Sequence, residues 1–164
     1  MTDERARVLE ALRGYAVRYQ ESAHGFARYM GLPTSDGTAL GEILWAELAG
    51  VTMTPARLRV RLGMSSGATT ALVDRLAARG LVTRSRESDD RRMVTLRTTD
   101  EVRERSAGYH GPAGRELEAA MAEYDERTLA VVRGFLERLT GVLPAGEGGA
   151  PREPAADGAE AARP

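Results

Sequence analysis

The chain has 164 residues, 42% of them hydrophobic, with 24 acidic and 23 basic residues and no cysteine. This length suffices for one domain with a core, or for one compact protomer of a dimer. The lack of cysteine excludes a disulfide framework, a thiolate metal site and thiol-based oxidant sensing. Because the first residues are charged and no apolar run reaches membrane length, we expect no signal peptide, no contact with membrane and a cytoplasmic location.

A long helix is predicted at the start of the chain, from Asp3 to Met30. Its larger apolar side chains recur every three or four positions, which is the spacing of one helix face. The following residues 31–38, GLPTSDGT, predict a loop. A second helix is then expected from Thr38 to Ala49, apolar on the face that would pack beneath the elements that follow.

Residues 54–97 carry the pattern around which the rest of the chain is organised. Pro55 suits the first position of a short helix, and Gly63 can end that helix in a left-handed conformation. Ser65 is a good N-cap for a second helix, whose inward stripe repeats with helical period. That stripe comprises Thr69, Leu72, Val73, Leu76 and Ala77. Two helices joined in this way match the helix-turn-helix, whose second helix enters the DNA major groove.

Two strands are predicted after this pair of helices, from Leu81 to Arg86 and from Met93 to Arg97, with Val94 and Leu96 pointing inward. Between them the residues ESDDRR form a charged, exposed turn that ends in two arginines. A helix-turn-helix followed by a basic-tipped hairpin is a winged helix. The predicted fold class is therefore mainly α, a winged helix-turn-helix with a two-stranded wing and terminal helices that form a dimerisation region.

The C-terminal part begins with a helical pattern from Asp100 to Ala122 that is interrupted by three glycines and Pro112 between residues 108 and 114. Either one helix is kinked there or two pieces meet. Helical spacing resumes from Tyr124 to Leu143. From residue 144 onward the sequence has no large apolar side chain, so it cannot bury enough surface to fold, and we predict a disordered tail.

The terminal helices present more apolar surface than one small winged helix can cover. A second copy would cover it equally in both subunits, whereas the alternative is an intramolecular helical cap on a monomer. We expect the homodimer. The chain then divides into an N-terminal dimerisation helix (1–35), a winged helix-turn-helix (36–99), C-terminal dimerisation helices (100–143) and a disordered tail (144–164).

Positive charge is concentrated in one segment of the chain. From Val51 to Thr98 there are 10 arginines and 4 acidic residues, whereas the remainder has 13 arginines and 20 acidic residues. Such a basic segment is the expected footprint of a protein that binds the phosphate backbone of DNA. The alternative is an arginine-rich chain that scatters this residue over solvated faces.

The segments SSGATTALVDRLAARGLVTR and DDRRMVTL resemble the recognition helix and wing of the multiple-antibiotic-resistance regulators, the MarR family. The resemblance extends over roughly residues 5–143. It departs at Ala71, where many members carry arginine, and at residues 98–100 after the wing. It implies a sequence-specific transcriptional regulator that binds a pseudo-palindromic operator as a homodimer, acting as a repressor that a ligand relieves.

The resemblance places double-stranded DNA against the start of the recognition helix and the wing. In the family, an arginine matching Arg92 enters the minor groove and an aspartate matching Asp90 braces it. Short side chains at the helix start let the backbone approach base edges and thymine methyl groups. The predicted DNA-binding residues are Ser65, Ser66, Gly67, Thr69, Thr70, Arg75, Arg84, Asp90, Arg91 and Arg92.

A small-molecule pocket between the dimer helices and the DNA-binding lobe is also implied by the resemblance, often for aromatic or phenolic compounds. The residues predicted to line it, and so to bind a small aromatic effector, are Tyr15, Tyr19, His24, Trp45, Tyr109 and His110. Each has a plainer interpretation, because aromatic residues at helical spacing are usually core or dimer contacts.

Catalysis is not predicted from any pattern in the sequence. His24 and His110 lack the two-histidine helical spacing of a metal site, and Asp89 and Asp90 lie in an exposed turn where neither gains the burial that tunes an acid–base pair. A chain without lysine has no GxxxxGK phosphate loop. We expect no metal and no cofactor. The alternatives to a regulator are an architectural DNA-binding protein without sequence preference, and a small-molecule-binding protein whose winged helix mediates protein contacts.

Overall fold

The computed structural model describes residues 3–85 and 93–142. Its elements in chain order are α1 (Asp3–Tyr29), α2 (Thr34–Leu48), α3 (Pro55–Leu62), α4 (Ser66–Ala78), β1 (Val82–Ser85), β2 (Thr95–Thr98), α5 (Asp100–Ala122) and α6 (Glu126–Val142). The predicted mainly α winged-helix fold is confirmed. The predicted wing turn and tail fall in residues 86–92 and 143–164, outside the described residues.

The turn between α3 and α4 forms through the local signals that the sequence carries. The Thr54 hydroxyl accepts a hydrogen bond from the Arg57 amide at 3.2 Å, and the Ser65 hydroxyl accepts one from the Ala68 amide at 3.3 Å. Gly63 ends α3 with φ at +61°, which an L side chain rarely adopts. Both helix starts and the intervening turn are therefore as predicted.

Helix α2 begins at Thr34 and not at Thr38, so the predicted loop over residues 31–38 is too long. Gly37 lies inside this helix because α1 and α2 approach closely there: a Cβ atom on Gly37 would sit 2.3 Å from the Cβ of Ala27. Asp36 lies in the first turn, where a carboxylate interacts favourably with the positive end of the helix dipole. The glycine read as a loop residue is thus a packing residue.

The hydrophobic core lies where α1, α2, α3 and α4 meet the two strands. Its largest fully buried side chains are Phe26, Met30, Leu40, Ile43, Leu58, Leu72, Leu76, Leu96 and Val102. The strands pair antiparallel, Val82 opposite Thr98 and Ser85 opposite Thr95. On its other edge β2 bonds the segment before α3, with the Leu96 amide donating to the Met53 carbonyl at 2.8 Å.

Helices α5 and α6 extend beyond this core. Helix α5 is one helix with Pro112 inside it, so the open question of a kinked helix or two pieces is answered in favour of one element. Only Val102 and Ser106 of α5 are buried, and α6 has no buried residue. Across residues 3–85 and 93–142, no helix is both long and apolar enough to cross a membrane.

Candidate nucleic-acid interface

One exposed face of α4 is made of small side chains and a single carboxylate. Gly67, Ala71, Asp74 and Ala78 follow one another three or four positions apart, and all are exposed, as is Thr70 beside them. We call these five residues the outward stripe. It lies opposite the buried stripe of α4, so it is the surface that this helix presents to anything approaching the molecule.

The predicted residues at the start of α4 divide between this surface and the core. Ser65, Ser66, Gly67 and Thr70 are exposed. Thr69 is only 2% exposed, and its hydroxyl donates to the Ser65 carbonyl at 2.9 Å. Thr69 therefore packs inward and stands outside the surface that a duplex could reach.

Arg75 pairs with a buried carboxylate of α2. Its Nε donates to Asp36 Oδ2 at 3.1 Å and its Nη2 to Asp36 Oδ1 at 2.7 Å, while the Asp36 side chain is 3% exposed. These bonds hold the pKa of the Asp36 carboxyl below its usual range. Such a two-pronged pair fixes the guanidinium plane, so Arg75 ties the recognition helix to the start of α2.

Several other arginines of the basic segment are also bound within the protein. Arg61 donates to Glu42 at 2.7 Å and Arg84 to Asp74 at 2.5 Å, both ion pairs. Arg57 and Arg79 donate to backbone carbonyls of residues 52 and 31, which leaves their positive charges uncompensated by those bonds. The charge excess counted in the sequence is thus partly neutralised by pairing inside the fold.

The two strands lead toward the wing turn. At the last paired position the hydroxyl oxygens of Ser85 and Thr95 lie 2.6 Å apart, within hydrogen-bond distance. The predicted DNA-binding residues Asp90, Arg91 and Arg92 lie outside the described residues.

Two of the predicted ligand-binding residues belong to an aromatic cluster between α1 and α5, made of Phe26, Tyr29, Tyr109 and His110. The Phe26 ring centroid lies 5.6 Å from that of Tyr109 and 4.9 Å from that of His110, and Tyr29 lies 5.2 Å from Tyr109. Burial lowers the pKa of His110, which favours a neutral imidazole. Phe26 and Tyr29 were not predicted here, although Phe26 belongs to the apolar face predicted for α1.

The other predicted ligand-binding residues lie apart from this cluster. The rings of Tyr15 and Tyr19 stack at 6.2 Å, and burial together with Glu42 raises the pKa of Tyr19. His24 is exposed and Trp45 is 64% exposed. The structure of one chain thus does not bring the six side chains into one cleft.

A polar concavity of about 510 Å³ lies at the base of the wing. It is lined by Glu47, Thr83, Arg97, Thr98, Thr99, Asp100 and Arg103. The Glu47 carboxylate accepts from the Thr98 amide at 2.8 Å, so α2 is bonded to β2 there. No predicted ligand-binding residue lines it.

Residues 30–93, which contain the outward stripe and the Asp36–Arg75 pair, match the family model described as MarR family. This segment belongs to the MarR family. The match covers both helices of the helix-turn-helix and the first strand of the wing, so the family resemblance read from the recognition helix and wing is confirmed.

A curated relative and two solved structures extend the comparison beyond the MarR-family segment. The Uncharacterized HTH-type transcriptional regulator YcgE of Bacillus subtilis (strain 168) is 29% identical over 91 residues, which are 56% of this chain and 59% of that protein. Transcriptional regulator Tm0710 from Thermotoga maritima has a TM-score of 0.54 and 23% identity, over 84% of this chain and 94% of the other. The transcription regulator MarR from Oenococcus oeni PSU-1 has a TM-score of 0.58 and 15% identity, over 82% and 98%. The structures show that the fold is shared outside the MarR-family segment as well.

These relatives are named as regulators of transcription and not as enzymes. Among the residues that the structure describes, no group of three or more histidine or acidic side chains is placed to hold a metal ion.

Proposed function

We propose that the protein is a sequence-specific DNA-binding regulator of transcription that acts as a homodimer on a pseudo-palindromic operator. The observation that carries this proposal is the exposed, small-residue face of α4 inside the MarR-family segment. A capped helix with short outward side chains fits the major groove, because its backbone can approach the base edges closely.

The homodimer is supported by the apolar surface of the terminal helices. Helix α6 has no buried residue, and Val132, Phe135 and Leu136 are each more than 40% exposed on it. A patch of this kind is expected to be covered by a partner. A two-fold dimer would also present two recognition helices, which read half-sites about 34 Å apart on a palindrome.

Backbone contacts are expected from arginines that keep their charge. Arg57 and Arg79 donate to carbonyls, and Arg59 is exposed on α3, the helix that crosses the phosphate backbone in this motif. Arg92 supplies the minor-groove contact that the family resemblance implies. The Asp74–Arg84 pair neutralises the carboxylate of the outward stripe, which would otherwise repel phosphates.

A salt titration tests this proposal. We expect an operator selected from random duplexes to bind about 1,000-fold or more tightly than unrelated DNA, with affinity that falls steeply as salt rises. Arg59→Ala and Arg92→Ala should weaken binding to cognate and unrelated DNA together. Each should also lower the salt slope by about one unit for every phosphate that a protomer ceases to neutralise. Fluorescence anisotropy at several salt concentrations measures both quantities.

Arg127→Ala is the matched control, because Arg127 is exposed on α6, far in sequence from the helix-turn-helix. It should leave affinity and slope unchanged. Equal binding to operator and unrelated duplex would favour an architectural DNA-binding protein. Absence of any salt-dependent binding would favour a winged helix that mediates protein contacts, and would reject the proposal.

We also propose that the protein is a repressor relieved by a small aromatic effector bound at the aromatic cluster of α1 and α5. A ligand that prefers one geometry of the dimer shifts the population away from the DNA-binding one. Aromatic carboxylates and phenols should therefore weaken operator binding by the wild-type protein, and Tyr109→Ala should reduce that effect. A panel of such compounds that leaves operator affinity unchanged rejects this part of the proposal.

A further inference from the structure

The outward stripe of α4 lacks the side chains that read bases through paired hydrogen bonds. Its members are Gly67, Thr70, Ala71, Asp74 and Ala78, and residues 66–78 contain no asparagine, glutamine or lysine. Bidentate readout of guanine needs a guanidinium or ammonium, and that of adenine needs an amide. The stripe therefore offers methyl groups, glycine backbone and one carboxylate.

The arginines of this helix are directed elsewhere. Both prongs of Arg75 are held by the buried Asp36 carboxylate, at 2.7 and 3.1 Å. Arg79, which follows the helix, donates to the Gly31 carbonyl at 3.2 Å. Neither guanidinium fork is therefore free to turn toward a base without breaking a contact that joins α4 to the α1–α2 region.

Thr70 is left with an apolar function on this surface. Its hydroxyl donates to the Ser66 carbonyl one turn earlier, at 3.0 Å, so its only hydrogen is already used. Its methyl group and the Cβ of Ala71 stand on adjacent exposed positions. A Cβ atom on Gly67 would meet nothing within 4 Å, so the surface beside them is open to a duplex.

We propose that α4 recognises thymine, through contacts of the Thr70 and Ala71 methyl groups with the thymine 5-methyl group in the major groove. The methyl group is the one apolar feature among the base edges of that groove, and it is absent from the minor groove. This inference rests on the proposed binding of DNA and names the base that the recognition helix reads.

The experiment replaces each dT of the selected operator by dU, which removes one methyl group and leaves Watson–Crick pairing intact. Affinity of the full-length protein should fall about fourfold at one or two positions per half-site, the size expected for one buried methyl group. Substitution in both half-sites should give about the square of that factor. Thymines outside the helix footprint should be insensitive.

A second arm pairs the DNA change with a protein change. Thr70→Ser keeps the hydroxyl and removes the methyl group, and it should abolish the dU effect at the position that Thr70 contacts. Ala71→Gly should do the same at a neighbouring position. Ala78→Gly, an equivalent change at the far end of the same helix, is the control and should retain both dU effects; circular dichroism checks that all three variants keep their helix content.

Three outcomes overturn the inference. If dU costs nothing at any position of a tightly and selectively bound operator, α4 does not read thymine methyl groups, while the proposed function stands. If dU costs affinity equally in wild type and in both variants, the effect comes from DNA shape. If no duplex is bound in a salt-dependent way, the proposed function fails and the inference fails with it.

Discussion

Phe135→Asp is expected to convert the protein from a dimer to a folded monomer. Phe135 is 43% exposed in the single chain, with Leu136 at 42% and Val132 at 46% beside it on α6. In a dimer the new carboxylate would be buried without a partner, and two-fold symmetry introduces it twice. We expect the dimer dissociation constant to rise about 1,000-fold or more, and sedimentation velocity over a concentration series measures it.

The monomer should remain folded because, in the described part of the chain, α6 contributes no buried residue to the core. An unchanged far-ultraviolet circular dichroism spectrum would show this. Ala130→Asp is the matched control: Ala130 is exposed, and five residues before Phe135 it lies on another side of α6. A Phe135→Asp protein that sediments as the wild-type dimer does would show that this face is not the interface.

Breaking the pair between α4 and α2 is expected to produce the second large effect, on stability. Asp36→Ala removes charge-assisted hydrogen bonds and should lower the free energy of unfolding by about 1.5–3 kcal/mol. Arg75→Ala should lower it further, since it leaves a carboxylate that is 3% exposed without its partner. Urea unfolding measures both. Arg84→Ala breaks the exposed pair with Asp74 and, as the control, should cost less than about 1 kcal/mol.

The pH dependence of stability separates these variants further. In the wild type Arg75 lowers the pKa of Asp36, so this pair stabilises the fold above the unfolded-state pKa of about 3.9 and the contribution is lost as pH falls through the lower folded value. In Arg75→Ala the cause of the lowering is gone and burial raises the pKa of Asp36. That variant should therefore regain stability relative to wild type as pH falls from 7 toward 4. A constant difference between the two proteins over this range would show that Asp36 does not carry the effect.

The helix-turn-helix was predictable because its signals are local. Ser65 caps α4 through an amide three residues away, and Gly63 ends α3 through its own backbone freedom. The start of α2 was wrong for the opposite reason. Gly37 reads as a loop residue until α1 is seen to press Ala27 against it, and no pattern within residues 31–38 records that contact.

By itself the sequence determined the elements whose causes lie within a few residues: the caps, the glycine turns, the periodic core faces and the family motif. Tertiary structure alone decided what those elements face. Arg75 meets Asp36 from 39 residues away and Tyr109 meets Phe26 across two helices, because a side chain's partner depends on how distant segments pack. The arginines that look like a surface for phosphate are partly committed to carboxylates inside the fold. The face of α4 left to read DNA is consequently one of methyl groups, since the helix buries or binds its other polar side chains.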